Sequence, residues 1–368
     1  MRRRVVVVGA GPAGSAASMA LAAAGIETIL IERRPMPRTK ACGGGLSPWT
    51  LGFLDRIGAG ARVRARAFPI GGARIAGTRR GGEVELRGGD YETAVLVRSE
   101  LDALLADEAV RRGAALRDGV RVDGLIRAQR RVVAVATDGE IIECDAVVDA
   151  SGSNGRLVAA DRRGATLHTF MGWYDGVAGT SDLVELYFDD TVKPHYGWVF
   201  PESARRVNIG VCFVPDRDGG NARERFDGFV AARLGARLAG ADRVAVIGHP
   251  VDVSARAQQL VGDGVVCAGE AGGLADFATA EGIYHALVSG HLAGTCLAEV
   301  LAAGTTPTAR ALAAYPRAVR RQLGLRLAGG WALMQALRTP VLDAALRLGG
   351  HGATRAAITR AFAGLYHG

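Results

Sequence analysis

Val5-Val6-Val7-Val8-Gly9-Ala10-Gly11-Pro12-Ala13-Gly14 is the stretch on which the fold turns. Four β-branched residues in a row suit a strand covered on both faces. The turn behind them has the spacing G-x-G-x-x-G, and Ser15 to Ala24 is a run of small, helix-compatible residues. Gly25 supplies a left-handed stop for that helix, and Ile26 to Ile31 reads as a second strand closing on Glu32. Strand, glycine turn, helix, strand and acid in this order predict a dinucleotide site. Gly9 makes the turn, Gly11 lets the backbone approach a pyrophosphate, and Gly14 lets helix pack on strand. The helix start at Pro12 and Ala13 turns its free amides toward the phosphates, and Glu32 is placed to hold ribose hydroxyls. A secretory signal is the rival reading, because Arg2 to Arg4 and the apolar run behind them imitate its first two regions. Glycines at 9, 11, 14 and 25 interrupt that run and no clean processing site follows, so the segment is read as part of the fold.

A chain of 368 residues can bury a full core and is expected to form two lobes. Hydrophobic residues make up 49% of it, yet no stretch of about 20 is free of charges or glycine breaks, so no spanning helix is expected. Lys40 and Lys193 are the only lysines, and arginine carries the rest of the +8 net charge. With sparse aromatics this reads as compositional bias, and no nucleic-acid partner is expected. A basic face for an anionic substrate, cofactor phosphates or a membrane surface stays open. Five cysteines (Cys42, Cys144, Cys212, Cys267, Cys296) are scattered without CxxC spacing, which fits a reducing cytoplasm. Seven histidines show no ligand spacing, so no metal site is expected.

Past Glu32 and Arg33 the chain enters a turn-rich loop, Arg34 to Pro48, containing Cys42-Gly43-Gly44-Gly45. Consecutive glycines cost backbone entropy and mark a tight bend or a surface lying against the chain. The loop is read as passing over a flat cofactor, with Cys42 at its lip. Residues 62 to 97 alternate and are broken at Gly71-Gly72, Gly81-Gly82 and Gly88-Gly89, which predicts hairpins of a second sheet. Arg98-Ser99-Glu100-Leu101-Asp102 opens a helix that Ser99 can cap, with Leu101, Leu104, Leu105 and Ala109 on one face. Strands are expected over 114 to 150, with turns at Gly124 and Asp138-Gly139 and a last strand running into Ala150-Ser151-Gly152. From Ala165 to Pro250 the text is β-rich. Val265-Val266-Cys267-Ala268-Gly269-Glu270 repeats the opening pattern, and Gly282 to Val300 follows as a long helix. Pro307 to Gly368 reads as helical. Its arginine-studded stretch, Arg317 to Leu348, is expected to be a packed lid, a membrane-surface face being the alternative.

With these pieces in order, residues 1 to about 300 resemble the geranylgeranyl reductase family, a branch of the para-hydroxybenzoate hydroxylase-like FAD proteins. The markers are Pro37-Arg38-Thr39-Lys40-Ala41-Cys42-Gly43-Gly44-Gly45-Leu46 and Tyr196-Gly197-Trp198-Val199-Phe200-Pro201, which is similar to the family's Y-x-W-x-F-P segment. Gly269-Glu270-Ala271-Gly272 and Thr279-Ala280-Glu281-Gly282-Ile283 complete the set. The resemblance implies an α/β fold in which a Rossmann-like FAD-binding domain (1–61, 98–164 and 253–306) is interleaved with a mostly antiparallel β substrate domain (62–97 and 165–252). A C-terminal helical region (307–368) follows.

In the cofactor site so implied, the ADP half of FAD lies on Gly9, Gly11, Pro12, Ala13, Gly14, Glu32 and Arg33. Arg98 sits near the pyrophosphate, Val122 near the adenine, Glu270 at the ribityl chain, and Cys42 and Gly43 beside the flavin. The amides of Gly282 and Ile283 begin a helix and can stabilise a reduced, anionic flavin edge. Gly44, Tyr196, Trp198 and Phe200 are the expected substrate contacts, and Cys42 and Tyr196 the candidate catalytic residues. His195 and His285 are secondary candidate acids. Three departures from the family pattern stand out: Glu270 where Asp is usual, Ser151 in a segment usually A-D-G, and Lys193-Pro194-His195 with Glu202 around the aromatic segment.

The resemblance implies an FAD-dependent reductase of carbon–carbon double bonds in an isoprenoid or lipid-like substrate, acting by hydride transfer from N5 of the reduced flavin. The alternative is a monooxygenase or oxidase acting on an aromatic or polyketide-like metabolite, since the scaffold supports both. A flavin-binding protein without activity is the third reading. The electron donor is NAD(P)H or a separate reductase protein, Ser151 weakening the case for direct NADPH use. The expected partner is a small apolar or aromatic molecule, and the expected location is the cytoplasm, with peripheral association at the inner membrane face left open.

Overall fold

The valine strand, Arg4–Val8, lies at the centre of a six-stranded sheet in the computed structural model of the chain. The structure describes residues 3–77, 82–87, 92–153, 157–158, 165–188, 190, 192, 195–214, 221–255, 257, 259–339 and 344. The strand order is Val261–Gly262, Val265–Cys267, Ala146–Asp149, Arg4–Val8, Glu27–Glu32, Ala115–Asp118. All neighbours are parallel except the first pair. The unbroken apolar run now has its reason. Val5 and Val7 enter a core shared with helices, while Val6 and Val8 enter one shared with Val132, Val135 and Ile142. Those three residues belong to a separate three-stranded antiparallel sheet (Val122–Ala128, Arg131–Thr137, Ile141–Glu143).

Seven helices are described in chain order: α1 (Pro12–Ala23), α2 (Pro48–Arg56), α3 (Gly60–Arg64), α4 (Arg98–Arg111), α5 (Ala222–Leu234), α6 (Ile283–Ala302) and α7 (Ala314–Leu337). Helices α1 and α6 cross with their backbones in contact. A Cβ on Gly290 would lie 2.0 Å from the Ala13 carbonyl oxygen, and one on Gly294 2.5 Å from that of Ala17. No side chain fits between them. Behind α6, Tyr315 is fully buried and its hydroxyl donates to the Cys267 carbonyl at 2.8 Å, so α7 is pinned to the sheet.

A seven-stranded sheet forms the second layer system, ordered Asp242–Val253, Ala165–Asp175, Arg206–Phe213, Gly197–Pro201, Leu183–Tyr187, Gly72–Ala76, Glu83–Arg87. Its neighbours are antiparallel apart from Leu183–Tyr187 with Gly72–Ala76. Segments from 72–87 and 165–253 thus share one sheet, although strands Ala115–Asp118 and Ala146–Asp149 of the central sheet lie between them in sequence. Helix α5 covers it with Phe226, Phe229 and Leu234. A small sheet of Gly45–Leu46, Thr93–Val95 and Phe68–Ile70 sits between the layers.

The α/β class expected from the sequence is present, with several local corrections. Residues 60–64, at the start of the predicted hairpin region, are helical, and α2, α3 and α5 had not been expected. Ser99 does not cap α4, which begins at Arg98 after Val97. Gly124 lies inside a strand; the chain turns at Gln129, whose φ is +57°. Gly81, Gly88, Gly89, Lys193 and Pro194 lie outside the described residues, as does the predicted helical region beyond Thr339 apart from Ala344.

Gly290→Ala should lower stability by roughly 3 kcal/mol, because the added methyl must push two backbones apart. Gly324→Ala on α7 meets nothing within 4 Å and should raise stability by roughly 0.5–1 kcal/mol. Thermal unfolding of the two variants checks both signs.

Candidate functional site

Parallel strands deliver their carboxyl ends to one edge of the central sheet, where Gly9, Glu32, Ala150 and Ala268 all line a cleft of about 210 Å³. The three glycines of the opening turn divide the work. A Cβ on Gly9 (φ +103°) would lie 2.4 Å from the Ala150 carbonyl oxygen, and one on Gly14 1.8 Å from that of Gly9. Gly11 faces the cleft instead, and a Cβ there would meet only the guanidinium tips of Arg38 and Arg98, at 3.8 and 3.9 Å. Backbone amides at a helix start and two arginines therefore converge on one spot, an arrangement suited to a pyrophosphate.

The arginines are held by buried acids. Asp102 is fully buried and accepts both Nε and an NH group of Arg98 at 2.9 Å, plus NH1 of Arg38 at 2.8 Å. Arg38 Nε reaches Glu32 Oε2 at 2.9 Å, and the Ala10 amide donates to the same oxygen at 3.1 Å. Burial works against the Arg98 charge, but Asp102 and then Cys42 beside it more than offset that, so its pKa is raised. The Gly44 amide also points at Cys42 Sγ, at 3.4 Å.

Lys40 stands across the cleft. Its Nζ donates to His249 Nε2 at 3.0 Å and lies 3.9 Å from Glu270 Oε2. Burial lowers the Lys40 pKa, with Glu270 opposing and Arg98 and Arg38 reinforcing the shift. Burial and then the neighbouring Lys40 push His249 down to about 4, so the ring is neutral and accepts from the lysine.

Helix α6 brings a second N-terminus to the cleft through Gly282 and Ile283. Its first-turn amides have no acceptor within the helix. The loop leading in is tightly determined. Asp276 Oδ1 accepts from the amides of Ala278 and Thr279 at 3.0 and 2.8 Å and from the Thr279 hydroxyl at 2.8 Å. The Tyr196 hydroxyl donates to the Thr279 carbonyl. These bonds hold Ala280, which lines the cleft, at φ +52°, a conformation a non-glycine residue keeps only when its surroundings impose it.

Gly9, Gly11, Pro12, Ala13, Glu32, Arg33, Cys42, Arg98, Glu270, Gly282 and Ile283 all line this one cleft. Val122 lines an adjoining cavity of about 360 Å³ that shares Gly9, Glu32, Arg33 and Ser151 with it. Gly14 is buried in the turn. Gly43, Gly44, Tyr196, Trp198 and Phe200 line neither cavity. A Cβ on Gly43 or Gly45 would come within 3.0 Å of the Phe200 ring, and one on Gly44 (φ +75°) within 2.4 Å of the Leu96 carbonyl. The aromatic row and Leu96 thus press on the glycines of this loop, while Ala41 and Cys42 just before them line the cleft.

Trp198 is buried, donating to Asn208 Oδ1 at 2.7 Å, with ring centroids 6.1 Å from Tyr196 and 6.3 Å from Phe200. Glu202 accepts from Trp173 Nε1 at 2.9 Å and pairs with Arg206, a structural tie at a strand end. His195 is fully buried, and burial takes its pKa down to about 4. His285 Nδ1 donates to the Glu281 carbonyl at 3.1 Å.

Arg38, Lys40, Asp102 and His249 were not among the expected site residues. Asp102 stands four residues after Arg98 on a helix, a spacing that announces the pair. His249 meets Lys40 only through the fold.

A shape that offers an anion pocket between Gly11 and two arginines, an adjoining cavity at Val122 and a second helix start at Gly282 fits FAD. The FAD binding domain family matches residues 2–322. The chain is 29% identical over 319 residues to the chloroplastic geranylgeranyl diphosphate reductase of Nicotiana tabacum, covering 80% of this chain and 66% of that one, just under two-thirds. It is 28% identical over 352 residues to the digeranylgeranylglycerophospholipid reductase of Methanothrix thermoacetophila, covering 89% and 85%. A geranylgeranyl bacteriochlorophyll reductase-like protein of Thermoplasma acidophilum has the same fold, with a TM-score of 0.82 at 23% identity over 94% of this chain and 91% of that one.

Gly11→Val should leave the fold intact, since the nearest atoms to a Cβ there are flexible arginine tips, but should weaken FAD binding at least tenfold by filling the anion pocket. Flavin fluorescence titration of the folded variant measures this. Stability should also respond to acid. His249 and His195 titrate at 6.5 when unfolded and at about 4 when folded. Between those values the unfolded chain holds protons that the folded chain refuses, so stability falls as pH drops through that window. Urea denaturation near neutrality and near the middle of the window should show this slope, and His249→Gln should flatten it.

Proposed function

Since the chain belongs to the geranylgeranyl reductase branch of the FAD-binding oxidoreductases, we propose that it reduces carbon–carbon double bonds of an isoprenoid or similarly apolar substrate. The observation behind this reading is the mixed lining of the cleft. Arg38 and Arg98 meet at Gly11, Lys40 stands on the opposite wall, and Ala41, Ile247, Val251, Ala275 and Ala280 add an apolar lining. Those five apolar residues belong to the same cluster as Tyr196, Trp198 and Phe200, so the apolar lining is backed by the aromatic row. A charged ligand would be anchored at Gly11 and an apolar one accommodated against that lining.

Reduced FAD, when bound, supplies hydride from N5 to one alkene carbon, the other carbon requiring a proton from the protein or solvent. The chain's own groups would do the remaining work. Gly11, Arg38 and Arg98 would hold the pyrophosphate, with Arg33 and Val122 toward the adenine and Glu270 along the ribityl chain. The amides of Gly282 and Ile283 would meet negative charge on the ring at a positive helix end. Cys42, which lines the cleft beside Arg98, would hold the proton for the second carbon. Tyr196 fixes the Thr279 carbonyl and so keeps Ala280 in place. The apolar lining would limit water around the substrate while it is oriented. The donor of electrons is a nicotinamide nucleotide or a partner reductase; Ser151 is bonded to Asp149 and offers no carboxylate of its own.

Product mass decides the reaction. Incubation of the reduced holoenzyme with a polyprenyl diphosphate should give a product richer by two hydrogens. A product carrying an added oxygen atom would replace this reading with the monooxygenase one. Cys42→Ala should retain FAD and lose turnover by roughly a hundredfold, whereas unchanged kinetics would assign the cysteine to packing.

A further inference from the structure

The cleft leaves the outer side of α7 without a role. Its inner side is committed. Leu323 and Leu327 are buried, a Cβ on Gly330 would overlap the Asp276 carboxylate, and the Arg326 guanidinium lies over the Trp49 ring at 4.1 Å. Facing outward are Arg317, Arg320 and Arg321 in the first half of the helix, then Leu325, Trp331 and Ala332. Leu325 is 88% exposed and Trp331 46%. At 3.6 residues per turn these six fall on one arc, running about 21 Å along the axis from Arg317 to Trp331.

Charge sharpens the reading. From Val300 to Leu342 the sequence has six arginines and no aspartate, glutamate or lysine. An exposed leucine and tryptophan on a helix with a purely cationic rim match one kind of surface well. Guanidinium groups pair with lipid phosphates, tryptophan prefers headgroup depth, and leucine enters the acyl boundary. Among the described residues no helix is long and apolar enough to cross a membrane, so the helix would lie in the interface.

We propose that the outer face of α7 docks the protein onto an anionic phospholipid bilayer. Docking there would hold the Asp276 loop, which borders the cleft through Ala280, about one helix diameter (~10 Å) from the lipid. An apolar substrate dissolved in the bilayer would then have a short path to the cleft lining at Ala275 and Ala280. The docking surface itself does not depend on the reaction in the cleft.

Vesicle flotation of the full-length holoenzyme tests it, using phosphatidylcholine alone and phosphatidylcholine mixed with phosphatidylglycerol. Binding is expected only to the mixed vesicles, and it should weaken in high salt. Leu325→Glu combined with Trp331→Glu should reduce partition at least tenfold. Replacing Arg317, Arg320 and Arg321 with glutamine should reduce it about a hundredfold. Because these five side chains are exposed, unfolding temperature and FAD content should match the wild type. Equal binding to both vesicle types, no binding to either, or binding that survives both sets of changes would overturn the proposal. So would a concentration-dependent dimer that Leu325→Glu abolishes, which would give the face to a second copy of the chain.

Discussion

Backbone contact between α1 and α6 is the constraint from which the site follows. Gly290 and Gly294 stand one helical turn apart and meet the carbonyls of Ala13 and Ala17 with no side chain between them. Two helices so close cannot be displaced sideways without a gap or a clash. Because α1 begins at the glycine turn and α6 begins at Gly282, their locked crossing sends two positive helix ends into one cleft. In the proposed reading, the phosphates and the electron-rich ring of FAD would each meet backbone amides rather than replaceable side chains.

Charge completes what backbone begins. Arg38 and Arg98 would be costly in a buried cleft without compensation, and Asp102 and Glu32 supply it through hydrogen-bonded geometry. The acids absorb only part of the donor capacity of two guanidinium groups, and an NH2 nitrogen of each lies within 4 Å of where a Cβ on Gly11 would stand. Such a pocket is organised before any anion arrives, so little reorganisation is needed on binding. Lys40, His249 and Glu270 repeat the pattern on the opposite wall with weaker, partly exposed partners.

The sequence made the nucleotide half of the site legible because that half is local. Strand, turn, helix and acid occur within about thirty residues, and the spacing of glycines reports backbone geometry directly. Segments distant in sequence were harder. Lys40 meets His249 across more than two hundred positions, and only a resemblance could place Glu270 and Gly282 beside Gly11. Helix α2 had a readable start in Ser47-Pro48, with the Ser47 hydroxyl accepting from the Thr50 amide at 3.3 Å, yet the glycines before it suggested a continuing loop. Helix α5 was hidden inside a β-rich stretch although Asn221 caps it and Phe226, Phe229 and Leu234 keep helical spacing. Period-two spacing of Tyr196, Trp198 and Phe200 revealed a strand, and only packing showed that Trp198 belongs to the core.

A crystal structure of the chain grown with FAD is the most direct measurement. The account expects one FAD per chain, its pyrophosphate between Gly11 and the guanidinium groups of Arg38 and Arg98, its adenine toward Val122 and its ring system at the start of α6. FAD found elsewhere on the chain, or a cleft that stays closed to it at saturating concentration, would contradict the account.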